Sequence, residues 1–179
     1  MDKKNFTFEL LDKYTPDKVI ENFLAQIKEA TQGYVIGNII PYDGPIQSYK
    51  KNNGLNVVTM TFKETMVDIQ EKLGEQDDEK HRYEVFLTVE GLEHYKYRMM
   101  FVDYGAIAYP VTIVMNEALS EEYCGKRIDT FLIESMGELE TMMETVINSK
   151  TMMVLIQNLI NEFLRKKYQK AHSIQLDEN

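Results

Sequence analysis

The amino-acid sequence predicts an α+β fold. A single domain is expected, in which an antiparallel sheet of about five to seven strands, wound as a meander, carries an N-terminal helix and a C-terminal helical pair. Two stretches of apolar–polar alternation, 82–90 and 94–102, predict the sheet, because successive strand side chains point to opposite faces. Apolar residues at helical spacing in 15–33, and again from 135 to 164, predict the helices.

Phe6, Phe8 and Leu10 alternate in a short strand candidate, 5–11. A helix follows, with Thr15 as cap, Pro16 at its first position and Asp17 near its positive end. Val19, Ile20, Phe23, Leu24 and Ile27 form its apolar stripe, and Gly33 ends it. "YVIGNII" (34–40) reads as a buried strand, and "PYDGP" (41–45) as a turn. "IQSYKK" is an edge-strand candidate before a turn at "NNG" (52–54).

Strand parity in 56–69 places Val58, Met60, Phe62 and Met66 on one side, with Glu64 as the lone acid among them; 71–80 is a solvated loop. In 82–90, Tyr83, Val85, Leu87 and Val89 face inward while Arg82, Glu84, Thr88 and Glu90 face out. In 94–102, Tyr95, Tyr97, Met99 and Phe101 face inward, opposite Lys96 and Arg98. "AIAYPVTIVM" (106–115) is apolar on both parities, and Pro110 assigns it to an edge or a bulge. A polar connection, 116–126, leads to a last strand, 127–134.

"SMGE" (135–138) has capping-box spacing, with Ser135 as cap and Glu138 reaching back. A helix from there aligns Leu139, Met142, Met143, Val146 and Ile147. The next segment aligns Met152, Leu155, Ile156, Leu159, Ile160, Phe163 and Leu164, and its stripe is displaced by roughly 100° from the first. Asn148 and Ser149 favour helix ends over interiors, so a kink or a break belongs there. The Thr-Met-Met at 141–143 and at 151–153 is therefore no helical repeat, since ten residues do not return to one face. The domain is placed at 1–172, with 173–179 as a flexible tail.

The formal charge is −9, from 29 acidic and 20 basic residues. Arg165, Lys166, Lys167 and Lys170 cluster near the end, so the rest is more acidic still. Such a charge repels phosphate backbones, and direct nucleic-acid binding is not expected. Cys124 is the one cysteine, which excludes an intrachain disulfide and suits a reducing compartment. No run approaches the length of a membrane span, and a cytoplasmic location is expected.

No catalytic set stands out. The glycines are scattered, His81, His94 and His172 lack ligand spacing, and Cys124 follows Glu121 and Glu122, which disfavour its thiolate. Neither cofactor nor metal is expected. Met152 to Ile156 are five consecutive apolar residues that nearly encircle a helix, so something must surround them: the sheet and its neighbours, or another chain. Met152, Met153, Leu155 and Ile156 are accordingly the candidate interface, with a homodimer as one outcome. Glu75, Asp77, Asp78 and Glu79, with Glu138, Glu140 and Glu144, are the candidate acidic face for a basic protein surface.

The expected function is that of a non-enzymatic acidic protein-binding module: an adaptor, inhibitor or chaperone-like protein. The alternative is a small-ligand-binding or enzymatic domain with a cavity between sheet and C-terminal helix, using Glu64, Tyr97 and Tyr109.

Overall fold

The computed structural model describes residues 10–46, 80–92, 95–126 and 128–177, with side chains in the last helix as far as Gln169. Strands β1 (Val35–Pro41), β2 (His81–Val89), β3 (Tyr97–Tyr104), β4 (Val111–Met115) and β5 (Thr130–Ile133) pair in sequence order, all antiparallel, as a five-stranded meander. Helices α1 (Pro16–Ala30), α2 (Glu117–Cys124), α3 (Met136–Ile147) and α4 (Lys150–Asp177) complete the α+β domain. None of the described helices is long and apolar enough to cross a membrane.

The helices gather on one face of the sheet. Val19, Ile20, Leu24 and Ile27 of α1 meet Leu139, Met142, Met143 and Val146 of α3 over Val85, Leu87, Met99, Met100, Val102 and Ile113 of the sheet. Burial of these side chains is the main source of stability, at roughly 1.5–3 kcal/mol for each large one. Helix α1 begins at Pro16, with Asp17 in its first turn accepting the Tyr104 hydroxyl at 2.6 Å. Its end closes through Gln32 N–H to Glu29 O and Gly33 N–H to Lys28 O. Both closing residues take left-handed backbone, Gln32 at φ 52° and Gly33 at φ 84°.

Helix α3 starts as the spacing predicts. Ser135 Oγ accepts Glu138 N–H, and the Glu138 carboxylate accepts Glu134 N–H. The helix stops at Asn148, and Ser149 Oγ caps the next one by accepting Met152 N–H. The C-terminal helical pair is thus two helices, broken where Asn148 and Ser149 placed the break.

Several local expectations change. Leu10 and Leu11 are exposed and lie outside any strand, while residues 5–9 of that candidate fall outside the described residues. So do "IQSYKK" beyond Ile46, the stretch 52–79, and with them Glu64, Glu75, Asp77, Asp78 and Glu79. The strand read as buried, β1, lies at an edge of the described sheet, with Ile36 and Ile40 exposed.

Alternation in β3 breaks at a bulge. Val85 pairs with Met100 but Phe86 pairs with Arg98, so Met99 is the extra residue. Met99 and Met100 both enter the helix-covered core, after which Val102 and Tyr104 face inward and Phe101 turns to the other side. Tyr95 is exposed. Strand β4 is interior rather than at an edge; Pro110 stands just before it and so removes no ladder donor. The connection 116–126 holds an eight-residue helix, α2, capped by the Asn116 side chain and closed by left-handed Gly125. The backbone of α4 is helical to Asp177.

Candidate functional site

Helix α4 is positioned at its first turn by another helix. Glu122 of α2 accepts the backbone N–H groups of Lys150 and Thr151 at 2.5 and 2.8 Å. Hydrogen bonds from Thr151, side chain first and then backbone, hold the Glu122 carboxyl below its ordinary pKa. Met152 then drops into the core, fully buried. Leu155, Ile156, Leu159, Ile160 and Phe163 continue that docked stripe, Leu159 buried and the others half-buried. The Phe163 ring reaches Tyr34 at the start of β1, with centroids 5.2 Å apart.

The five apolar residues of 152–156 therefore divide. Met152, Leu155 and Ile156 are covered by the body, while Met153 and Val154 point away, 64% and 50% exposed. Leu164, assigned by its spacing to the inward stripe, is outward too, at 46%. Taken down the helix, Met153, Val154, Gln157, Asn161, Leu164 and Tyr168 share one exposed side, within roughly 100° of arc. Gln157 and Asn161 bond to each other across one turn, Nε2 to Oδ1 at 3.1 Å. This outward stripe is the candidate functional site.

A second surface lies between α1 and α3. A groove of about 470 Å³ is lined by Phe23, Gln26, Glu140, Thr141, Glu144 and Ile147. Glu140 and Glu144, one turn apart, share its wall; Glu138 sits about 200° round from Glu140 and spends its carboxylate on the cap. All three acids are exposed, but the structure brings only two of them together.

The cavity residues of the alternative reading are separated. Tyr97 begins β3 and its hydroxyl meets Asn116 at 3.4 Å. Tyr109 follows the far end of that strand, some 23 Å along it, and bonds Tyr14 O at 3.3 Å. Burial raises the Tyr97 pKa; burial, then Asp12, Glu140 and Asp17, pushes Tyr109 up to about 12. Both hydroxyls keep their protons at neutral pH and neither is primed as a base. The Cys124 thiol is half-buried and donates to Ser120 O and Lys126 O, each at 3.2 Å.

Comparison of the chain with protein-family models, with curated proteins and with solved structures finds no match.

Sequence reasoning missed Val154, Gln157, Asn161, Leu164 and Tyr168 as a set. The signal was present as three-four spacing, but a stronger stripe on the same helix masked it.

Proposed function

We propose that the protein is a non-enzymatic acidic binding module, an adaptor, inhibitor or chaperone-like protein, whose contact surface is the outward stripe of α4. One observation carries this reading. Met153, Val154, Leu164 and Tyr168 stay between 46% and 65% exposed on one side of a helix whose other side is already docked. Aligned exposed apolar side chains on a helix are the anchors of helix-mediated recognition. The space between sheet and helices supports the same reading, since Met99, Met100, Leu139, Met142, Met143 and Met152 fill it. The chain's −9 charge suits a partner surface that is basic. A cytoplasmic setting belongs to the proposal and fits the single free thiol, Cys124.

The test is affinity capture with the natural protein and with Val154→Lys/Leu164→Lys, in parallel. Both positions are open to solvent, so the variant keeps the fold, which circular dichroism verifies. Loss of the captured protein with the variant is the expected result. An identical capture profile for both proteins overturns the reading.

A further inference from the structure

We draw no further inference here: the strongest candidate, the groove between α1 and α3 walled by Glu140 and Glu144, carries none, because two exposed carboxylates one turn apart are not by themselves a site and nothing in the structure shows what covers it.

Discussion

The carboxylate of Glu122 accepts the backbone N–H of Thr151 at 2.8 Å, so a side chain of α2 caps a helix whose sequence begins almost thirty residues later. The neighbouring N–H of Lys150 goes to the same carboxylate. Two of the four orphan donors of α4 are met this way, and a negative charge sits at the positive end of the helix. Because folding lowers the Glu122 pKa, its contribution is present in full above the ordinary carboxylate value and disappears as pH falls through the lowered, folded one. Glu122→Gln should lower the melting temperature by a few degrees at pH 7. That gap should close on acidification, because the glutamine does not titrate. Thermal melts of both proteins from pH 7 down to pH 3 decide it; a gap that is constant with pH removes the charge from the account.

Met152 and Met153 are neighbours with opposite fates. Met152 is fully buried and Met153 is 64% exposed. Met152→Ala removes a core side chain and leaves a void, so it should destabilise by about 2–4 kcal/mol. Met153→Ala should stay within about 0.5 kcal/mol. Urea denaturation of the two variants checks the pair. Equal losses would mean that the phase of α4 on the sheet is misassigned.

Gly37 in β1 lies under Leu24 of α1. A Cβ at position 37 would stand 2.6 Å from Leu24 Cδ2 and 2.7 Å from its Cβ, closer than atoms approach. Helix and strand sit this near because the glycine offers no side chain. Gly37→Ala should destabilise by about 1–3 kcal/mol. Leu24→Ala opens a void at the same place, so the double variant should lose clearly less than the two single losses combined. Strict additivity in a denaturation cycle would place the helix elsewhere.

What was legible in the sequence was local. Ser135 with Glu138, and Asn148 with Ser149, announce helix ends because the capping group and the backbone it serves lie within a few residues. Clean alternation located β2 for the same reason. The Met99 bulge was not legible, because it exists only in the pairing of β3 with β2, and one inserted residue moves Phe101 to the opposite face. The place of β4 inside the sheet was hidden likewise, since Pro110 is as compatible with the residue before a strand as with an edge. For the candidate site, the sequence marked Met152–Ile156 as over-apolar, and tertiary docking divides that run between core and surface. Leu164 directly follows Phe163, whose ring meets Tyr34, yet it is exposed, a change of face that periodicity alone does not locate.

On the sheet face away from the helices, Arg98 holds Glu84 at 2.6 Å from Nε to Oε1. The Glu84 side chain is 7% exposed and Arg98 is 53% exposed, so one charge is out of water and its partner is half in it. The Arg98 guanidinium also lies 4.9 Å from the centre of the Phe101 ring, and Lys96 stands over Phe86 at 4.3 Å. Removing the arginine therefore does two things: it leaves a buried carboxylate unpaired and uncovers an aromatic ring. Arg98→Leu keeps apolar cover over Phe101 and isolates the first effect. It should cost about 1–3 kcal/mol, less than for a fully buried pair because Arg98 is already half solvated. Glu84→Leu in the same chain removes the stranded charge, so the double variant should recover most of the loss. A cycle of denaturation midpoints over the four proteins measures the coupling. If the double variant is no more stable than Arg98→Leu alone, the burial of Glu84 is not what makes the arginine necessary, and its cover of Phe101 is.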